Sequence, residues 1–223
     1  MLKIHKVFVQ ILLVLFLTTT VPTWGLSQER WGTPFDDVIE KKQLKIIIEK
    51  NENGLETREF VLPGNILVRE NRKNEKIIGS FLLDQSGFGS ILCTQSILLS
   101  TKIWLDVCDD FNNSKSSERL NIAIGRIFKF IVENSILPVS INELNIQLDI
   151  KAVKLRTYIL ETQQNSGDTK NIALLQCRGA HDEAIEFVEQ ISNRIAEQSE
   201  KEFEQSIDEL LSVPRLPVMN PCL

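Results

Sequence analysis

Cys177 and His181 are the side chains whose types and spacing come nearest to a reaction. They lie four residues apart in Cys177-Arg178-Gly179-Ala180-His181 and could meet at the start of a helix, where the dipole lowers a thiol pKa. Nucleophilic catalysis also needs a third group to orient the base, and Asp182 is merely adjacent in sequence. A disulfide competes for the same cysteine. Cys93, Cys108, Cys177 and Cys222 form an even set, which in an oxidising compartment favours two bridges with three pairings open. Cys93–Cys108 with Cys177–Cys222 is the preferred pairing, and Cys93–Cys177 with Cys108–Cys222 is not excluded. The first bridge carries a geometric condition. A continuous helix would hold Cys93 and Cys108 about 22 Å apart at 1.5 Å per residue. Bridged Cα atoms lie within roughly 7 Å, so that pairing requires the chain to turn back near Ser100-Thr101-Lys102.

Other chemistry is sparse. The chain has no Cys-x-x-Cys and no His-x-x-x-His, so no metal site and no cofactor are expected. Asp106, Asp109 and Asp110 cluster around Cys108 but lack the Asp-x-Asp-x-Asp-Gly of a calcium loop, and read as a polar element end. Gln85 to Ser90 is glycine-rich without the Lys-Ser/Thr ending of a phosphate loop, and reads as a linker. Asn112-Asn113-Ser114 fits the glycosylation acceptor pattern, which matters only in a eukaryotic host.

The start of the chain sets the compartment. Lys3 and Lys6 precede an apolar run from Val7 to Leu17, and the small residue Gly25 follows. This pattern predicts a secretory signal peptide over residues 1–25. The run is shorter than the roughly 20 apolar residues of a membrane-spanning helix, and no second long apolar run follows, so no membrane span is expected after cleavage. Cleavage would remove Lys3 and Lys6 and take the net charge from -5 to -7. Such an acidic chain is a poor candidate for nucleic acid or an anionic membrane surface. It would also leave His181 and Tyr158 as the sole histidine and tyrosine, thin material for acid–base work near neutral pH.

The periodicity predicts the elements that would position these residues. Residues 26–42 read as a polar lead-in with a short helical turn at Asp36 to Lys42. Residues 44–50, 55–62, 66–70 and 76–83 read as four strands in two hairpins, with turns at Asn51 to Gly54, Pro63-Gly64-Asn65 and Asn71 to Asn74. A helix from about Glu118 to Asn134, capped by Ser116 or Ser117, is apolar around most of its circumference and reads as the core helix. Ser140 and Glu143 fit a capping box for a helix to about Ile150. Val153, Leu155, Thr157 and Ile159 alternate, and with Asn171 to Cys177 they read as a further hairpin. Ala184, Val188, Ile191, Ile195, Phe203, Ile207 and Leu210 form a helical stripe broken near Ser199, with an acidic opposite face. That face is solvated or serves as a dock for a basic partner.

The expected fold is α+β: N-terminal antiparallel hairpins, then a mainly helical part with one further hairpin. Residues 26–223 are expected to form one exported domain, with a hairpin-rich lobe over 26–84 and a helix-rich lobe over 85–223. Hydrophobic residues make up 43% of the chain, enough for a packed core that disulfides staple rather than replace. The leading expectation is a non-catalytic binding or interaction protein of the periplasm or extracellular space, with a protein or cell-envelope partner. The alternatives are a small exported hydrolase or thiol enzyme using Cys177 and His181, and a structural cell-envelope component. The balance is against an enzyme.

Overall fold

The computed structural model describes residues 28–50, 54–107, 114–164 and 182–222. The signal peptide, Asn112 and Asn113 of the glycosylation pattern, Cys108, Asp109, Asp110, Cys177, His181 and the arm from Asn171 to Cys177 lie outside them. The described residues fall into two compact units. A sheet unit holds residues 28–50, 54–94, 130–138 and 209–222, and a helical unit holds 95–107, 114–129, 139–164 and 182–208.

In the sheet unit, helix α1 (Gln28–Lys42) precedes strands β1 (Ile47–Lys50), β2 (Glu56–Leu62), β3 (Ile66–Lys73) and β4 (Lys76–Asp84). They form an antiparallel meander in the order β1-β2-β3-β4, with β1 at one edge. Strand alternation sends Phe60 and Leu62 of β2, Ile66 and Val68 of β3 and Leu82 of β4 into one core. Phe35 and Ile39 of α1 join them, and the Phe35 and Phe60 rings meet edge to face at 5.8 Å. The lead-in is therefore a helix of 15 residues rather than a short turn. Its polar composition hid a pair of apolar residues four apart, which is one helical face.

The turns follow the chemistry of their residues. Asn74 and Glu75 both have positive φ (50° and 64°), as a two-residue type I′ hairpin between Lys73 and Lys76 requires. The hairpin tip thus lies three residues beyond Asn71, where the sequence reading began the turn. Gly64 has φ 83°, and a Cβ there would come within 2.4 Å of the Arg215 Cβ. Glycine is needed for the turn and for the close passage of the chain's own tail.

Helices α2 (Ile91–Val107), α3 (Ser114–Asn134), α4 (Ile141–Gln164), α5 (Asp182–Glu197) and α6 (Glu200–Leu211) follow. In the helical unit, Leu120, Ala123, Ile124, Ile127 and Phe128 of α3 are buried, as expected of the core helix. Ile122 is the exception at 38% exposed. The cap expected at Ser116 does not form, because α3 starts at Ser114 and the Ser116 Oγ donates to the Ser192 carbonyl of α5 at 2.8 Å.

Helix α4 departs most from expectation. The capping box is present: the Ser140 amide donates to Glu143 Oε2 (2.7 Å) and the Glu143 amide to Ser140 Oγ (3.2 Å). Yet the helix runs on to Gln164, so Val153, Thr157 and Ile159 are helical and the first arm of the further hairpin is not a strand. The run Lys151-Ala152, Lys154-Leu155-Arg156 is rich in helix formers, which carry the nucleated helix onward. On a helix, the strict alternation of Leu144, Ile146, Leu148 and Ile150 points apolar groups to opposite sides. Leu144 is buried at 1% exposure while Ile146 and Ile150 are exposed.

The break near Ser199 is real. Ser199 and Glu202 build a second capping box, with amide contacts of 2.8 and 3.2 Å, and α5 and α6 are separate helices. Lys115 and Arg119 of α3 donate to the Ala196, Ile195 and Gln198 carbonyls, satisfying the C-terminal carbonyls of α5 with cations. Arg119 also pairs with Glu200 and lies over the Phe203 ring at 5.1 Å. Arg126 pairs with Glu204 and Asp208. Four acids of the expected docking face, Glu200, Glu202, Glu204 and Asp208, therefore have partners within the chain.

Candidate functional site

Cys93 is bridged to Cys222, with Cα atoms 5.2 Å apart across 129 residues of sequence. This overturns the preferred pairing. Helix α2 is unbroken from Ile91 to Val107, so the turn that Cys93–Cys108 needed is absent, and Cys222 is already taken from Cys177. Asp106 of the acidic cluster pairs with Lys102 one helical turn earlier, at 2.9 Å. Among the described residues, no group of three or more His, Cys, Asp or Glu is placed to hold a metal ion.

The bridge belongs to a larger anchor that fastens the tail to the sheet unit. Arg215 is 2% exposed. Its Nε donates to Asp84 Oδ2 (2.7 Å), Nη1 to the Leu210 and Val213 carbonyls (2.9 and 3.0 Å) and Nη2 to the Gly89 carbonyl (2.7 Å). The Phe88 and Phe130 rings flank the guanidinium at 5.9 and 5.5 Å. The Asp84 amide donates to the Asn220 carbonyl (2.8 Å) and the Leu92 amide to the Val218 carbonyl (3.0 Å). Ser90 Oγ lies within reach of the Met219 and Pro221 carbonyls. The glycine-rich segment expected to be a linker is thus half of this anchor.

A second buried arginine lies on the inner face of the sheet. Arg58 Nε donates to Glu70 Oε2 (2.8 Å) and Nη1 to Asp36 Oδ1 of α1 (2.6 Å), and the guanidinium lies over Phe60 at 5.3 Å. Glu70 is fully buried, and burial pushes its carboxyl pKa up against the opposing pull of Arg58. Burial would lower the Arg58 pKa, but the Asp36 and Glu70 carboxylates outweigh it and hold the guanidinium charged. This cluster is incomplete. Glu70 Oε1 and Arg72 Nε have no hydrogen-bond partner. Arg58 Nη2 lies 2.6 Å from Glu70 Oε2 without hydrogen-bond alignment, so that contact is electrostatic only.

The outer face of the same sheet is different in kind, and it is the candidate site. Register places Val61, Leu67 and Leu83 in one cross-strand row. The next row reads Ile47, Glu59, Arg69 and Phe81 across all four strands, and Arg69 pairs with Glu59 at its centre. A third row holds Glu49, Thr57, Asn71 and Gly79, with Thr57 Oγ1 donating to Asn71 Oδ1 at 3.1 Å. Ile47, Val61 and Phe81 are 51, 43 and 44% exposed. The face therefore grades from apolar to polar, with one ion pair set in an apolar surround. A surface of this composition fits macromolecular contact, in which large apolar side chains supply area and a paired charge fixes register.

No protein-family model, no curated protein and no solved structure matches this chain. The anchor residues Asp84 and Arg215 escaped sequence reasoning, although Arg215 stands as a lone charge between prolines in an apolar tail. Glu70 and Arg58 left a clearer signal. Each continues the inward side of its strand, Glu70 after Ile66 and Val68, and Arg58 before Phe60 and Leu62. Lys151 of α4 also went unnoticed; burial lowers its pKa.

Proposed function

We propose that this chain is an exported, disulfide-stabilised binding protein of the periplasm or extracellular space. It contacts a protein or another cell-envelope component through the outer face of its sheet. One observation carries the reading: Ile47, Val61 and Phe81 stand exposed around the Glu59–Arg69 pair on one continuous four-stranded face. Two others are in keeping with it. The Cys93–Cys222 bridge suits an oxidising compartment. Among the described residues no helix is long and apolar enough to cross a membrane.

The test is photo-crosslinking in the producing cells, with the reactive side chain at position 81 and, as control, at exposed Glu133 of α3. A discrete adduct from position 81 that the control lacks is the expected outcome. Equal labelling from both positions, or none from position 81, would reject the outer face as the contact surface.

A further inference from the structure

We infer that β1 is a self-pairing edge and that two copies of this chain join through it into a continuous eight-stranded sheet. Strand β1 ends the order β1-β2-β3-β4, so one row of its backbone amides and carbonyls faces away from β2. Ile47 and Ile48 are 51 and 54% exposed there. An exposed β-branched edge invites strand addition, and natural sheets usually blunt such edges with unmatched charge, proline or a bulge. Here the charges are placed differently.

The edge reads Lys45-Ile46-Ile47-Ile48-Glu49, with Lys45 and Glu49 both exposed. Laid antiparallel on its own copy about Ile47, it sets Lys45 of each chain opposite Glu49 of the other. It also sets Ile46 opposite Ile48, and Ile47 opposite itself. Both ends of the pairing are then opposite-charge contacts, and the middle is apolar. Pairing of a strand with its own copy requires that the members of each hydrogen-bonded pair have residue numbers of like parity, because both must face the open edge. Lys45 with Glu49, Ile46 with Ile48 and Ile47 with itself are each of like parity, so the pairing is allowed whichever parity faces the open edge, with the odd pairs or the even pair hydrogen-bonded accordingly. The two-fold axis passes through Ile47, as an isologous dimer demands. Pairing at Lys45 and Ile46 extends β1 by two residues at its start. The row Ile47, Glu59, Arg69 and Phe81 becomes one stripe across both copies.

Sedimentation velocity of the exported protein over a wide concentration series tests this, with the sheet's integrity followed by circular dichroism. The wild type is expected to be a dimer at the upper end. Glu49→Lys turns two attractive cross-strand pairs into repulsive ones and is expected to weaken the dimer by about tenfold or more. The exchange variant Lys45→Glu/Glu49→Lys restores complementarity and is expected to recover the wild-type dissociation constant. A monomer at every concentration overturns the inference, as does a Glu49→Lys variant that dimerises like the wild type or an exchange variant that does not recover. An independent readout comes from Ile47→Cys. Across the axis the Cα atoms would be about 4.5–5.5 Å apart, within disulfide reach, so mild oxidation is expected to give a covalent dimer. Val61→Cys, on the same face but away from the edge, should give none. Failure of Ile47→Cys to crosslink, or equal crosslinking by both, also overturns the inference.

Discussion

Two buried arginines of the sheet unit face a carboxylate and a phenyl ring, yet they are not equivalent. Arg215 donates to Asp84 and to three backbone carbonyls and is flanked by two rings. Arg58 meets Asp36 and Glu70 and leaves Glu70 Oε1 unmatched. Desolvating an ion pair costs several kcal/mol per ion, and the pair repays it only when its remaining donors and acceptors are satisfied. The Arg215 cluster meets that condition and fixes the path of the tail. The Arg58 cluster meets it in part, because Glu70 Oε1 has no hydrogen-bond partner, and burial raises the Glu70 pKa despite Arg58. A buried ion pair is thus informative through its completeness rather than its presence.

The contrast breaks most sharply under identical substitutions. Arg215→Met strands Asp84 and three carbonyls and is expected to cost about 3–5 kcal/mol. Arg58→Met strands Glu70, whose carboxyl pKa burial already raises so that it can take up a proton at less cost, and is expected to cost about 1–3 kcal/mol. Urea unfolding of both variants measures the gap, and equal losses would erase the distinction. Next in size is the covalent part of the anchor. Cys93→Ala/Cys222→Ala opens a loop of 129 residues and is expected to cost about 2–5 kcal/mol. The same urea titration reads it, and limited proteolysis is expected to clip the tail first.

The smallest effect sharpens the other side. Because the folded Glu70 pKa is raised above its ordinary value of 4.5, the native chain keeps a proton that the unfolded chain has released. Stability from this group is therefore greatest below that ordinary value and declines as pH rises through the raised one. Glu70→Gln is expected to flatten that decline in a series of urea midpoints from acid to neutral pH. An unchanged slope would show that another group carries it.

Much of this fold was legible because its signals are local. The four strands and α3 follow from periodicities of two and 3.6, and the cap of α4 from Ser140 and Glu143 three residues apart; the second capping box at Ser199 and Glu202 reads only as a break in the apolar stripe. Helix α4 misled only beyond Ile150, where Val153, Leu155, Thr157 and Ile159 alternate as a strand would, while the helix begun at the Ser140 cap runs on to Gln164. The outer face was legible as alternation, but its exposure was not, since that depends on what packs above it. The anchor could not be read at all. Asp84 and Arg215 are 131 residues apart, and no spacing rule joins residues so distant. The preferred cysteine pairing failed for the same reason: it favoured near partners, while the tertiary fold brought Cys93 to Cys222.

Every described residue of the helical unit, from 95 to 208, lies between Cys93 and Cys222 in sequence, so the covalent ring that their bridge closes includes all of them. A protease that cuts once anywhere in that ring opens it without releasing a fragment. On a non-reducing gel the nicked protein runs as a single species, and its two pieces separate only when a reductant is added.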